Sequence, residues 1–248
     1  MHGRIWMSLA LSDVASKYRR TVLGPGWIVL AQVAVIFGIY WLRSSISPMI
    51  LGNFLLYLAA SLPIWGLISS LTSDGTAALS RSKSLIESYP LPMTIYLMRS
   101  IASNVILFGH TILVFFVMAL FYMELPQLAS IPWFFLGLGI VLVFGLGMHL
   151  LLAPLAARFR DISPALASFM TVAYIMSPIF WQVAPDQHEM ILVKYNPFRY
   201  LLDVMRGPLL NQIPSMKSYL IATGVAAVAL VLGTLTFRRF GPRIVYWI

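Results

Sequence analysis

The chain has 248 residues, of which 60% are hydrophobic and only 10% are charged, whereas soluble domains carry about 25% charged residues. A soluble globular domain is therefore excluded. The chain has no cysteine, which excludes disulfides, thiolate metal ligands and cysteine nucleophiles, and no metal site is predicted. The net charge of +9 is spread over short segments, which favours contact with anionic lipid over binding to nucleic acid.

Six stretches of the chain contain no Asp, Glu, Lys or Arg and are at least 20 residues long. Each can cross a hydrocarbon core of about 30 Å as an α-helix, since a helix rises about 1.5 Å per residue. The stretches are 21–42, 44–73, 100–123, 125–157, 162–185 and 218–237. We therefore predict an all-α membrane protein with six transmembrane helices, in a single domain that covers residues 1–248.

The basic residues indicate how this bundle is oriented. An even number of spans places both chain ends on one side, and twelve of the 17 Lys and Arg residues fall on that side. Because positive charges near span ends stay on the cytoplasmic side, both termini are predicted to be cytoplasmic.

Residues 1–20 predict an amphipathic helix that lies in the inner membrane surface, although a poorly ordered tail is the alternative. Asp13 interrupts the apolar stretch, so we expect no signal peptide. The apolar residues that share one arc of the helical projection are Trp6, Met7, Ala10, Leu11, Val14 and Tyr18.

Two short segments lie on the predicted cytoplasmic side between spans. The first predicts a helix from Ala77 to Glu87, which Tyr89-Pro90 ends. The second is a tight hairpin after the fourth span, where Asp161 or Ser163 can cap the next helix. Either segment can receive a partner chain below the membrane, and the alternative is that both are solvated turns.

The fourth span contains two Gly-Leu-Gly triplets, at 137–139 and 145–147. Phosphate-binding glycine loops follow a strand, and no strand pattern precedes these triplets. We therefore predict that the glycines allow neighbouring helices to pack closely.

Proline pairs interrupt the helical pattern after the fifth span. Ser177-Pro178 lies inside the fifth stretch, and Asn196-Pro197 opens a helix that we expect to run to about Met205, before Gly207-Pro208 stops it. Short re-entrant or interfacial helices are therefore predicted on the outer side, before the last span. The apolar residues predicted to be buried there are Phe198, Leu201, Leu202, Met205 and Leu209.

All eight acidic residues lie outside the six stretches, which disfavours a proton- or sodium-driven carrier. His110 and His149 remain inside spans, and each is either a proton relay or, as we favour, a packed histidine with a hydrogen bond to a neighbour. No Walker A, HExxH or GxSxG motif occurs, so we predict that the chain is not an enzyme. Uphill transport would then need energy from another chain.

Four motifs, in this order and within a six-span pattern, resemble the membrane subunits of ABC exporters for surface polysaccharides. The motifs are KYRRTVLGPGW at 17–27, RFRDI at 158–162, SPIF at 177–180 and NP at 196–197. The resemblance implies a homodimer that encloses a channel, with two copies of a separate subunit that binds ATP and Mg²⁺. No cofactor is expected on this chain. The implied function is ATP-driven export of lipid-linked polysaccharide, such as O-antigen, capsule or teichoic acid, across a bacterial inner membrane.

The resemblance also assigns roles to segments of the chain. It makes 1–20 an interface helix, 77–92 a coupling segment and 186–213 the extracytoplasmic gate helices. The residues expected to contact the ATPase subunit are Arg81, Lys83, Leu85, Glu87, Arg158, Arg160 and Asp161.

Side-chain chemistry adds two groups of candidate substrate residues. Arginine matches phosphate oxygens, and Arg4, Arg19 and Arg20 are expected at the inner headgroup level, where they would recruit a lipid phosphate. Aromatic faces cover the C–H faces of sugar rings, so some aromatic residues are candidates to line a glycan path, although interfacial anchoring is the alternative. These candidates are Trp27, Trp65, Tyr174 and Trp181.

Two other classes of protein remain open. A self-sufficient channel or secondary carrier would depend on His110 or His149. A membrane scaffold without transport activity is the third reading.

Overall fold

The structure is a computed structural model that describes residues 2–46, 52–88, 91–182 and 191–247. Within these ranges its regular secondary structure is helical throughout. Short 3₁₀ turns are found at Ser80–Ser82, Leu128–Ser130 and Gly241–Tyr246. The α-helices in chain order are α1 (His2–Lys17), α2 (Gly26–Ile46), α3 (Gly52–Ala77), α4 (Lys83–Ser88), α5 (Met93–Phe121), α6 (Ile131–Arg158), α7 (Ile162–Met176), α8 (Ile191–Lys194), α9 (Pro197–Leu209) and α10 (Met216–Phe240).

Five helices, α2, α3, α5, α6 and α10, are long and apolar enough to cross a membrane, so five of the six predicted spans are confirmed by length and composition. The fifth predicted span differs, because α7 has 15 residues and is about 22 Å long. Ser177 is extended (φ −91°, ψ 145°), since a proline disfavours the helical conformation of the residue before it. Residues 162–182, the described part of the predicted stretch, therefore do not form one full-length span.

The long helices alternate in direction, so each end of the bundle is built from separate parts of the chain. The terminal end carries α1, α4 and the 3₁₀ turn Gly241–Tyr246. At that end Arg99 of α5 pairs with Asp13 of α1. The distal end carries α8 and α9, and there the Asn211 side chain accepts a hydrogen bond from the Gln127 N–H at 2.7 Å.

The central helix of the bundle is α3, which contacts α2, α5, α6, α7 and α9. Its spanning segment is 78% buried within the chain, whereas that of α2 is only 6% buried. The α2 surface is apolar, with Leu30, Phe37 and Trp41 among its exposed side chains. In a membrane such a surface contacts lipid tails or other apolar helices.

Glycines set the close approach of α6 to its neighbours. A Cβ on Gly147 would lie 2.5 Å from the α10 backbone, and a Cβ on Gly137 would collide with the α9 backbone. A Cβ on Gly145 would lie 2.9 Å from the Leu71 side chain of α3, whereas a Cβ on Gly139 would face open space. The predicted role in helix packing is therefore confirmed at three of the four glycines.

The N-terminal segment is a helix, as predicted, and not an irregular tail. It packs along α5, with Ala10 and Val14 buried, while Met7 and Leu11 are 41% and 54% exposed. The face of α1 that is buried against α5 is thus narrower than the predicted apolar arc.

The predicted helix from Ala77 to Glu87 is divided. Helix α3 continues to Ala77, the 3₁₀ turn Ser80–Ser82 follows, and α4 begins at Lys83. The expected stop at Tyr89-Pro90 lies outside the described residues, as do residues 186–190 of the predicted gate segment.

Helix α9 runs to Leu209 and so passes the predicted stop at Gly207-Pro208. Pro208 has no N–H to donate to the Val204 carbonyl one turn earlier. The Tyr219 hydroxyl of α10 lies 3.4 Å from that carbonyl and 3.4 Å from the Trp133 carbonyl, so the two carbonyls share its one proton. A partner from another helix thus compensates the proline in part, which the local sequence does not reveal.

Candidate functional site

The distal end is organised around α9, whose first turn is fixed by Asn196. The Asn196 side-chain oxygen accepts hydrogen bonds from the backbone N–H groups of Phe198 (2.9 Å) and Arg199 (3.4 Å), and Pro197 occupies the first helical turn. The five apolar residues predicted to be buried are all buried, so this prediction is confirmed: Phe198, Leu201, Leu202, Met205 and Leu209.

The buried cation Arg206 holds α9 against α3 and the turn that follows α7. Only 7% of Arg206 is exposed. Its Nη1 atom donates to the Tyr57 hydroxyl at 2.6 Å, to the Ser61 hydroxyl at 3.1 Å and to the Pro178 carbonyl at 2.6 Å. Its Nη2 atom pairs with Asp203. Such a charge is stable away from water because it is paired and hydrogen-bonded.

Tyr57 and Asp203 extend this network. The Tyr57 hydroxyl donates towards the carbonyl oxygens of Pro178 (2.6 Å) and Trp181 (2.9 Å), and its ring lies 4.3 Å from the Arg206 guanidinium carbon. The second oxygen of Asp203 accepts from Arg199 Nε at 3.3 Å. One carboxylate therefore bridges two arginines on the polar face of α9.

Asn196 also connects α9 to the end of α7. Its side-chain amide donates to the Met176 carbonyl at 3.2 Å and to the Ser177 hydroxyl at 3.1 Å. Because Met176 and Ser177 mark the point where α7 stops, the break in α7 and the start of α9 form one joint.

A polar cavity of about 550 Å³ lies beside this network, between α9 and the segment that leads to α10. Its lining includes Glu124, Asp203, Arg199 and Arg206, together with amide and hydroxyl side chains such as Gln212. The two carboxylates and two guanidinium groups balance in charge. The cavity thus offers both donors and acceptors, which is the chemistry that hydroxylated ligands need.

The predicted coupling segment lies at the terminal end. Arg81 pairs with Asp74 at 2.8 Å, and Lys83 pairs with Glu87 across one turn of α4 at 3.9 Å. Leu85 faces inward and packs on a cluster built from the ends of α3, α5 and α6 and from the C-terminal turn. The segment therefore presents charged side chains outward while its apolar side is fixed to the bundle.

The second predicted contact segment lies next to the chain's C-terminal turn. The Arg158 guanidinium lies 5.3 Å from the Trp247 ring centroid, and Arg160 is exposed. Asp161 occupies the position before α7, but its side chain makes no capping hydrogen bond, and Ser163 lies inside the helix. The predicted cap by either side chain is therefore wrong, although the hairpin itself is present.

The four aromatic candidates do not form one group. Trp65 is buried and lies 5.8 Å from the Tyr174 ring, so α3 and α7 bring two of them together. Trp181 lies at the distal end, where its carbonyl accepts from Tyr57, and Trp27 is 53% exposed in the first turn of α2. Their role in a glycan path stays a prediction.

The three residues predicted to recruit a lipid phosphate belong to α1 and to the turn after it, at the terminal end of the bundle. Arg19 and Arg20 are exposed in the turn between α1 and α2, and Arg20 has a positive φ of 70°. Arg4 belongs to α1, but its side chain lies outside the described residues.

Both histidines inside spans are hydrogen-bonded. Nδ1 of His149 lies 2.9 Å from the Gly145 carbonyl, and its Nε2 lies 3.0 Å from the Ser100 hydroxyl. Nδ1 of His110 lies 2.8 Å from the Ile106 carbonyl. These contacts match the packed-histidine interpretation.

Five apolar helices of spanning length, the short apolar α7 and the amphipathic α9 describe an α-helical membrane protein of the multi-pass class. The chain is similar to the O-antigen export system permease protein RfbA of Myxococcus xanthus. The two sequences are 20% identical over 228 residues, which cover 90% of this chain and 87% of that relative. No protein-family model matches the chain.

Sequence reasoning missed the Arg206 network. Arg199, Asp203 and Arg206 recur at helical spacing opposite the apolar face of α9, and this pattern was the available signal. It shows that the three side chains share a face. It does not show that Tyr57, 149 residues earlier, is their partner.

Proposed function

We propose that this chain is the channel-forming membrane subunit of an ATP-driven exporter that moves lipid-linked polysaccharide, O-antigen or capsule, across the bacterial inner membrane. The observation that carries the proposal is the similarity to an O-antigen export permease over nearly the full length of both chains. The helical content and the five long apolar helices agree with a permease subunit.

The assembly that we propose contains two copies of this chain and two copies of an ABC ATPase subunit, which would supply the ATP and Mg²⁺ site. The chain has no Walker A motif of its own. The coupling segment supports the ATPase contact, because its charged face is exposed while Leu85 packs on the ends of three long helices. A push on α4 would therefore reach α3, α5 and α6 directly.

The proposed orientation places both termini and the terminal end in the cytoplasm. Arg4, Arg19 and Arg20 would then lie near the inner headgroups, and α9 would gate the outer side. The polar distal cavity supports a path for a hydroxylated cargo. Trp65 and Tyr174 are the paired aromatic candidates to line it.

A self-sufficient carrier or channel is the alternative function. It would rely on His110, whose Nδ1 contacts a backbone carbonyl, or on His149, whose two ring nitrogens both contact protein groups. Transport of a solute against a gradient by the chain alone in liposomes would favour this alternative. A constant requirement for a second, ATP-hydrolysing chain would favour the exporter.

The test of coupling is the double variant Leu85→Asp with Glu87→Ala, expressed with the proposed ATPase subunit in a host that has neither protein of its own. We expect loss of surface glycan and loss of ATPase stimulation by the membrane subunit, because the segment no longer packs on the bundle. The control is Leu125→Asp, the same apolar-to-acidic change in an exposed loop at the distal end, at a residue that does not line the distal cavity. ATPase stimulation that survives the first variant would contradict the proposed contact.

A further inference from the structure

A second cavity, of about 520 Å³, lies at the terminal end between α1, the end of α3 and the first half of α5. It is separate from the distal cavity and from the aromatic candidates. Its charged lining consists of three cations and two carboxylates, which leaves an excess of one positive charge: Lys17, Arg81, Arg99, Asp13 and Asp74.

Three side chains that line this cavity carry donors with no hydrogen-bond partner among the described residues. They are the Tyr96 hydroxyl, the Asn104 amide nitrogen and Nη1 of Arg99. Tyr96 is 1% exposed and Asn104 is 5% exposed, so neither group is satisfied by bulk solvent. A buried polar group without a partner costs about 1–3 kcal/mol, which makes three such groups in one place unusual.

The remaining bonds fix these groups in place. Nε of Arg99 donates to Asp13 at 2.5 Å and Nη2 pairs with the same carboxylate, so α1 and α5 hold the guanidinium while Nη1 stays available. The Ser103 hydroxyl donates to the Arg99 carbonyl at 3.0 Å and is thus already satisfied. The cavity therefore combines a preorganised cation with neutral donors, and no acceptor of its lining is hydrogen-bonded to these three groups.

We propose that this cavity binds a phosphate group, either free or carried by a lipid. Phosphate oxygens accept hydrogen bonds from guanidinium, amide and hydroxyl donors together, and a guanidinium prefers them to neutral acceptors. The terminal end is where α1 meets the ends of the spanning helices, so a lipid headgroup can reach the cavity from the membrane surface. The inference does not rest on export, because binding is measured without ATP, glycan or transport.

The experiment uses the full chain, purified with any subunit that accompanies it, and two probes. Inorganic phosphate is titrated by calorimetry. Dioleoyl phosphatidic acid is compared with dioleoylglycerol, which lacks the phosphate, by native mass spectrometry of the bound lipid. We expect phosphate-dependent binding of at least one probe. Phosphatidic acid alone identifies a lipid phosphate, and inorganic phosphate identifies a free ion.

The variants Asn104→Leu and Tyr96→Phe each remove one donor and keep the shape of the side chain. We expect Asn104→Leu to weaken binding about tenfold and Tyr96→Phe about threefold. Unliganded thermal stability should be retained or increased, because an unpaired buried donor is removed. The control is Tyr219→Phe, the same change at the distal end, which should bind as the parent does.

Two results would overturn the proposal. One is a parent protein that binds neither inorganic phosphate nor phosphatidic acid better than dioleoylglycerol. The other is equal binding by the parent and by Tyr96→Phe and Asn104→Leu. If Asn104→Leu fails to fold, Tyr96→Phe, which loses a single oxygen, decides the outcome by itself.

Discussion

The two ends of the bundle satisfy their polar groups in opposite ways. At the distal end, Arg206 is buried and each of its terminal nitrogens has an acceptor within the chain. Every buried side-chain nitrogen or oxygen without a partner, among the described residues, lies in the half next to the terminal end: Tyr18, Gln32, Tyr96, Arg99 and Asn104. The buried polar groups of the distal end are thus satisfied within the chain, whereas the terminal end retains unpaired donors that the proposed phosphate would satisfy.

The largest expected effect comes from Arg206→Met, which removes the buried arginine of the distal end. The change leaves Asp203 with a weaker set of partners and removes the donor to Tyr57 and Ser61. We expect a loss of about 3–5 kcal/mol in the free energy of unfolding, measured by denaturation in detergent. The control Arg238→Met, at an exposed arginine of the terminal end, should change it by less than about 0.5 kcal/mol.

A double variant sharpens this prediction. Arg206→Met combined with Asp203→Leu removes both charges, and replacing a buried ion pair by apolar residues is often neutral. We expect it to be more stable than Arg206→Met alone. Equal stability of the two variants would contradict a role for the pair in holding α9.

The second prediction concerns the helices that connect the two ends. In Gly147→Val the new Cβ would lie 2.5 Å from the Ala229 carbonyl carbon, so α10 must move away from α6. We expect the free energy of unfolding to fall by about 1–3 kcal/mol and the gel-filtration peak to broaden. Gly139→Val is the matched control, since no atom lies within 4 Å of a Cβ there. Equal behaviour of the two variants would refute the close α6–α10 contact.

The third prediction separates the two roles of Asn196. Asn196→Ala removes both the cap of α9 and the donor to α7. We therefore expect the free energy of unfolding to fall by about 1 kcal/mol or slightly more. Asn196→Asp keeps the acceptor for the cap and loses only the donor to Met176 and Ser177. Its measured stability should lie between those of the parent and Asn196→Ala, and a value at either extreme would assign the whole effect to one contact.

The smallest effect is expected at the exposed pair of the terminal end. Lys83 and Glu87 are 3.9 Å apart, with side chains 53% and 65% exposed. Glu87→Gln should therefore alter the free energy of unfolding by less than about 0.5 kcal/mol. A larger loss would mean that α4 is held by its charges and not by the packing of Leu85.

The long apolar helices were predictable because hydropathy along the chain is sufficient to locate spans. The packing role of Gly147 was predictable from the small size of glycine, and the buried face of α9 was predictable from the helical spacing of its apolar residues. The extent of α9 was not predictable, since Tyr219 partly compensates Pro208 from a different helix. The unpaired donors of Tyr96 and Asn104 also escape sequence reasoning, because a missing partner is visible only in three dimensions.

Because α7 is shorter than the five spanning helices, the apolar surface that the molecule presents to lipid is thinner at α7 than elsewhere. A helix of about 22 Å beside longer neighbours leaves a hydrophobic mismatch, which costs a fraction of a kcal/mol for each ångström of bilayer that must thin around it. Phe169, Val172 and Ile175 are each more than half exposed on this flank. Lipids with longer acyl chains raise the free-energy cost of surrounding this flank with bilayer, and they would thereby favour any protein contact that covers it.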